Sequence, residues 1–180
     1  MKHPSALAIL FDGVEELEAV APIDLLRRAG VEVTVASASG NLAVEGRNGI
    51  TLVADAPLAD CLASPVDLII LPGGPGHASL LDQEDLLELL RRQSGEGKWI
   101  GSICAGPVVL NQAGILAGRQ FTSFPGTAGQ LPERQDEKVV VDGKLVTSQG
   151  AGTAILFGLA LVEALCGPGT KANVAGSVCF

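Results

Sequence analysis

The chain has 180 residues, of which 47% are hydrophobic and 18% are charged, a composition that can bury a core and is far from that of a disordered chain. Its 12 Lys and Arg residues stand against 20 Asp and Glu residues, and a net charge of -8 disfavours binding to nucleic acid or to anionic lipid. We therefore expect a single domain over residues 1–180, with neither nucleic acid nor a membrane as its partner.

Neither a targeting segment nor a membrane span is expected. The first apolar stretch, residues 6–11, ends at Asp12 before it reaches the length of a signal-peptide core, and no apolar run reaches the roughly 20 residues that cross a bilayer. The four cysteines are Cys61, Cys104, Cys166 and Cys179. Their wide spacing fits neither a zinc site nor a disulfide framework. These features predict a cytoplasmic protein without a bound metal.

Strand-like runs rich in Val, Ile and Leu alternate with helical segments along the chain. Strands are predicted at residues 6–11, 31–36, 66–71 and 99–104, with hairpins within 42–53 and at 139–141 with 145–147. Helices are predicted at residues 15–29, where Pro22 either kinks the helix or begins its regular part, and at 83–93, 107–113 and onward from Gly152. This order predicts an α/β fold with a mostly parallel central sheet covered by helices on both faces.

Cys104 lies where the strand predicted at 99–104 turns into the next helix. Ser102, Cys104 and Gly106 form a small-x-Cys-x-Gly pattern, and a sharp turn exposes a nucleophile only when these flanking residues are small. The N–H groups at the start of the helix would stabilise a thiolate, so we expect a pKa for Cys104 below that of free cysteine. The pentapeptide by itself also fits a small, unreactive buried cysteine.

Three other features follow predicted strands at the same edge of the sheet. Gly73 and Gly74 would let backbone N–H groups approach a ligand, although an ordinary turn explains them equally well. Glu18 belongs to an acidic cluster that would complement a helix dipole, but beside a cysteine a buried carboxyl would be partly protonated. His77 either borders the same pocket or is solvated and idle.

Four segments carry a resemblance to a known family. They are Glu15-Glu16-x-Glu18 with Pro22-Ile23-Asp24, Leu71-Pro72-Gly73-Gly74, Ile103-Cys104-Ala105-Gly106-Pro107, and Thr147-Ser148-Gln149-Gly150-x-Gly152-Thr153. In this collinear order the chain resembles the ThiJ/PfpI superfamily of class I glutamine amidotransferase-like proteins, in the branch of the parkinsonism-associated protein deglycase and bacterial YajL. The resemblance implies a three-layer α/β/α flavodoxin-like sandwich, a homodimer and no cofactor.

The resemblance also implies roles for individual residues. Cys104 matches the reactive cysteine and Glu18 the glutamate that hydrogen-bonds it. The other matched positions are Gly73, Gly74 and Ala105 at the anion pocket, Arg28 and Arg47 near the dimer interface and active site, and Gly150 and Thr153 in the last segment.

Two positions depart from the wider family. Ala105 follows the cysteine where peptidase-like members have a histidine, which removes the general base of a protease. Phe124 stands where human-type members carry a histidine, and YajL-like members resemble this chain in that substitution. We therefore expect weaker glyoxalase turnover than in relatives that have the histidine, with His77 as an accessory candidate.

The resemblance implies two functions that the sequence does not separate. In the first, Cys104 attacks methylglyoxal or a glycated protein or amine to form a hemithioacetal, and Glu18 moves the protons of a cofactor-independent glyoxalase or deglycase. In the second, Cys104 oxidises to a sulfinic acid in a redox-responsive chaperone or oxidative-stress sensor with little or no catalysis. A purely structural or ligand-binding domain is a third alternative.

Overall fold

The computed structural model describes residues 3–180, and a seven-stranded sheet is its centre. The strands of this sheet are β1 (Ser5–Leu10), β2 (Glu32–Ser37), β5 (Ala56–Pro57), β6 (Leu68–Leu71), β7 (Trp99–Ile103), β8 (Val139–Asp142) and β9 (Leu145–Ser148). They are ordered β5-β2-β1-β6-β7-β9-β8. All neighbours pair in parallel except β8, which pairs antiparallel with β9 at one edge. Strands β3 (Ala43–Glu45) and β4 (Thr51–Val53) form a separate antiparallel hairpin.

Helices cover both faces of the sheet. They are α1 (Glu16–Arg28), α2 (Leu58–Cys61), α3 (Glu84–Gly95), α4 (Gly106–Gln112) and α5 (Ala154–Ser177). Successive side chains of a strand point to opposite faces, so Leu7 and Ile9 of β1 pack with α3 and α4, whereas Ala6 and Ala8 pack with α1 and α5. The predicted mostly parallel, three-layer α/β/α fold is therefore confirmed.

The predicted elements occur with bounds that differ by a few residues. Residues 42–53 contain the expected hairpin, and Pro22 lies inside α1, where a Cβ at Gly158 of α5 would lie 3.0 Å from the Pro22 Cα. The sequence pattern does not predict β5 or α2, because elements of two and four residues are too short to show a period.

Helix α5 corrects the expectation about apolar length. Among the described residues, the segment Ala151–Ser177 is long and apolar enough to cross a membrane by length and composition. The helix breaks at Gly167, whose φ is 84°, and its first half packs against α1. A Cβ atom at Gly158 would lie only 2.6 Å from Leu25 Cδ1, so the two helices approach closely here. In this structure the buried residues of α5 lie almost all in its first half, which belongs to the core, and a core helix can satisfy the same criterion of length and composition.

Candidate active site

The predicted site residues meet at the carboxyl edge of the sheet. The chain passes from β1 outward to β2 and later returns to the other side of β1 as β6, so the strand order reverses between β1 and β6. Ligands of open α/β sheets bind in the crevice outside such a point. The segments that follow β1, β6, β7 and β9 bring Glu18, Gly73, Cys104 and Gly150 together there.

Cys104 occupies a sharp turn between β7 and α4. Its φ of 62° is in the left-handed region, which costs energy for a residue with a Cβ and is enriched at active sites. The hydroxyl of Ser102 donates to the carbonyl of Leu71 at 3.2 Å, and a Cβ at Gly106 would lie 2.4 Å from that hydroxyl. The small-x-Cys-x-Gly pattern therefore has a steric reason.

Glu18 lies beside this cysteine in the first turn of α1. Its side chain is 1% exposed, its Oε2 accepts the Gly73 N–H at 2.9 Å, and its carboxyl hydrogen-bonds the Cys104 side chain. Glu15, the N-cap of α1, accepts the N–H of Glu18 on its own Oε2 at 2.9 Å. The predicted contact between the carboxyl and the sulfur is thus present, and the cap fixes where α1 begins.

Burial controls the charge of this pair. It raises the pKa of Glu18 to about 7, although hydrogen bonds from Cys104 and Gly73 act in the opposite direction. Burial and then the charge on Glu18 raise the pKa of Cys104 to about 12, against the lowering effect of the Ala105 and Gly74 N–H groups. The expected low pKa of Cys104 is wrong for this geometry, because two backbone donors do not offset burial and a neighbouring carboxylate. Near pH 7 the carboxyl therefore loses its proton while the thiol stays protonated.

Of the three predicted backbone donors, Gly73 has a partner other than the one expected. The N–H groups of Gly74 and Ala105 are directed at the Cys104 sulfur, whereas the N–H of Gly73 is used by Glu18. Gly73 has a steric role instead, since a Cβ there would lie 2.6 Å from the Ala105 nitrogen and 2.7 Å from the Cys104 Cβ.

A cavity of about 490 Å³ opens above the pair. Its lining residues are Glu15, Glu18, Arg47, Gly74, Pro75, His77, Cys104, Ala105, Phe124, Gly126, Thr127, Gly129, Gln130 and Ala151. Gly150 borders the pair, because a Cβ there would lie 3.7 Å from Glu18 Oε1, and the Thr153 hydroxyl holds Gly150 by bonding both its N–H and its carbonyl. Arg28 does not line the cavity: its Nε lies 2.7 Å from Asp24 Oδ2 in an exposed ion pair on α1.

The loop after Ser123 completes one wall, and sequence reasoning found only Phe124 in it. The N–H of Phe124 donates to the Cys104 carbonyl at 2.9 Å, which brings Gly126, Thr127 and Gln130 to the cavity. An irregular loop has no hydrophobic period, so the sequence contains no signal for its position.

Glu16 fixes the opposite wall. Its buried carboxylate accepts the backbone N–H and the side-chain N–H of Asn48, both at 2.8 Å, and so holds the β3–β4 turn that presents Arg47. Burial would raise the pKa of Glu16, but these hydrogen bonds outweigh it and lower the pKa.

Residues 3–180 contain no group of three or more His, Cys, Asp and Glu side chains arranged to hold a metal ion. The four cysteines are free.

The fold and this pair define a family. The model of the DJ-1/PfpI family matches residues 4–164, and the chain belongs to that family. It is 40% identical over 176 residues to protein dj-1beta of Drosophila melanogaster, covering 95% of this chain and 94% of the relative. The crystal structure of Drosophila melanogaster DJ-1beta superposes with a TM-score of 0.94 at 36% identity, covering 99% of both chains. The chain is also 37% identical over 181 residues to the glutathione-independent glyoxalase DJR-1.2 of Caenorhabditis elegans, covering 98% of this chain and 96% of the relative.

Proposed function

We propose that this chain is a cofactor-independent enzyme of the glyoxalase or deglycase type that acts on methylglyoxal or on glycated amines. The buried Cys104–Glu18 pair, with two backbone donors at the sulfur, is the observation that carries the proposal. Similarity to a relative named as a glutathione-independent glyoxalase supports it.

The first step is addition of the thiol to the aldehyde carbon. The Cys104 sulfur bonds to that carbon while its proton passes to the Glu18 carboxylate, whose raised pKa makes it a competent base near neutral pH. The aldehyde oxygen takes the electron pair of its π bond, lies near the N–H groups of Gly74 and Ala105, and receives the proton from Glu18. The product is a hemithioacetal, and Glu18 is again a carboxylate.

The second step is isomerisation. Glu18 removes the proton from the former aldehyde carbon, and the electrons move to the adjacent carbonyl to give an enediolate. Return of the proton to the second carbon, with transfer of the hydroxyl proton between the two oxygens, gives a 2-hydroxyacyl thioester on Cys104. Water then releases a 2-hydroxy acid and the thiol, so that methylglyoxal becomes lactate.

The test is methylglyoxal consumption by the wild type and by Cys104→Ser and Glu18→Gln. We expect both variants to lose turnover, since one lacks the nucleophile and the other its base. Cys166→Ser is the matched control, because Cys166 lies in α5 and does not line the cavity. Consumption that is unchanged in Cys104→Ser would refute the proposal.

Phe124 adds a second comparison. It lines the cavity where a proton-carrying histidine would stand, and general acid–base groups supply about 10² to 10⁴ in rate. We therefore expect wild-type turnover to be slow and Phe124→His to raise it.

The same geometry supports a second candidate, a redox-responsive chaperone or sensor. A protonated Glu18 and the N–H groups of Gly74 and Ala105 would donate hydrogen bonds to the oxygens of a Cys104 sulfinic acid. If peroxide converts Cys104 cleanly to a sulfinic acid while no α-oxoaldehyde is consumed, this candidate replaces the enzyme.

We also propose a cytoplasmic homodimer that associates through the outer face of α1 and the adjacent hairpin. Leu17 and Val20 on α1 are 61% and 46% exposed, and Ile50 and Val53 in the hairpin region are 56% and 73% exposed. Light scattering should give twice the chain mass, and Leu17→Asp should reduce it to that of one chain. Cell fractionation tests the compartment.

A further inference from the structure

One imidazole faces the candidate active site. His77 lies in the short 3-10 turn Pro75–Leu80 after β6, is half-buried and lines the same cavity as Cys104. Its Nδ1 is 2.9 Å from the carbonyl oxygen of Gly74. A carbonyl oxygen only accepts hydrogen bonds, so Nδ1 carries the hydrogen and the neutral ring has its free lone pair on Nε2. The contact therefore leaves the Nε2 lone pair available on a side chain that lines the cavity.

The anchor of this ring is rigid and close to the sulfur. Gly74 donates its N–H to Cys104 and accepts the His77 Nδ1–H on its carbonyl, so one residue separates the two groups. A Cβ at Gly74 would lie 2.4 Å from the Gly13 carbonyl oxygen, which shows how tightly the backbone is packed here. A ring held in this way is positioned before the substrate binds.

The other titratable groups around the cavity are already engaged. Among its described lining residues these are Glu15, Glu18, Arg47 and Cys104. Glu15 accepts the N–H of Glu18, and the Arg47 guanidinium is a cation that holds no free lone pair for a proton. Glu18, which moves the protons of the first half-reaction, is 1% exposed and has Oε2 bound to the Gly73 N–H, whereas His77 is only half-buried. Once Cys104 is acylated, a water molecule must still be activated on the open side of the thioester.

We propose that His77 is the base of this hydrolytic half-reaction, an assignment that rests on the proposed function. Nε2 takes one proton from water as the water oxygen bonds to the thioester carbon. The carbonyl oxygen becomes an oxyanion near the N–H groups of Gly74 and Ala105. Its electron pair then re-forms the carbonyl, the carbon–sulfur bond breaks, and the leaving sulfur takes the proton from the imidazolium. The 2-hydroxy acid departs, and both His77 and Cys104 return to their starting forms.

The two half-reactions separate in the variant His77→Asn. The Asn Nδ2 can replace Nδ1 as the donor to Gly74, but no atom replaces the Nε2 base. The reaction is run first with enzyme in excess of methylglyoxal and then with methylglyoxal in excess of enzyme. Samples are quenched at intervals, and the intact mass of the protein is measured. We expect the first methylglyoxal to be consumed at the wild-type rate and Cys104 to accumulate the mass of one methylglyoxal. Steady-state turnover should fall by about 10² to 10⁴, and added imidazole should restore it.

His77→Gln serves as a second variant, because it places an amide near Nε2 without a base, and circular dichroism checks that both variants fold. Wild-type steady-state turnover in His77→Asn, or loss of the first turnover without an adduct, would overturn the role of His77 while leaving the Cys104 chemistry intact. Absence of Cys104-dependent consumption in the wild type would instead overturn the proposed function and this inference together.

Discussion

Replacing Glu18 by Gln keeps the length of the side chain and an acceptor for the Gly73 N–H, but removes the ionisation. The pKa of Glu18 rises from 4.5 to about 7 on folding, mainly because the carboxyl is buried. That difference corresponds to about 3 kcal/mol, at about 1.4 kcal/mol for each tenfold change in proton affinity. Because the folded state holds this proton more tightly, the proton stabilises the folded state. Its contribution to the free energy of unfolding is complete below pH 4.5 and is lost as pH rises through about 7.

The measurement is the free energy of unfolding in urea between about pH 5 and about pH 8.5. Relative to the wild type, Glu18→Gln should gain about 2.5 kcal/mol between the two ends of this interval, because the variant has no carboxylate to bury. Glu88→Gln, which removes an exposed carboxyl from α3, is the control and should show no such gain. If Glu18→Gln and wild type differ in free energy of unfolding by the same amount at both ends of the pH range, burial does not raise the pKa of Glu18.

Three further predictions test the site and its supports. The profile of kcat/KM against pH should rise as the Glu18–Cys104 pair loses its first proton near pH 7, and Glu18→Gln should remove that step; a flat wild-type profile would contradict the pairing. Gly73→Ala should lower kcat at least about 100-fold, since its Cβ would lie within 2.7 Å of the Cys104 Cβ, whereas Gly95→Ala, which meets nothing within 4 Å, should not. Glu16→Gln should lower the free energy of unfolding by about 2 kcal/mol through weaker hydrogen bonds. Because the pKa of Glu16 is lowered, this loss of stability should be present above pH 4.5 and should shrink in acid. Urea unfolding of wild type and variant at a pH above 4.5 and at a lower pH tests this, and an equal loss at the two pH values would contradict it.

The sequence determined the order of strands and helices because that order follows from local apolar periods. Successive residues of a strand alternate between faces, and the three-residue and four-residue spacing of a helix marks its buried side. The small residues around Cys104 are likewise a local requirement of one turn, so the motif was visible in five letters. The family resemblance added the pairing with Glu18, which is 86 positions away in the chain.

Only the tertiary structure decided what neighbouring residues do. Glu15, Glu16 and Glu18 are nearly adjacent in sequence, yet one caps α1, one holds the hairpin and one meets the sulfur. The pKa of Cys104 is raised, although a lowered value was predicted, because the sequence shows a helix start but not burial beside a carboxyl. His77 reached the cavity through a contact with Gly74 that no periodicity encodes. Charge, desolvation and hydrogen bonding depend on distances between segments, and those distances exist only after the sheet has assembled.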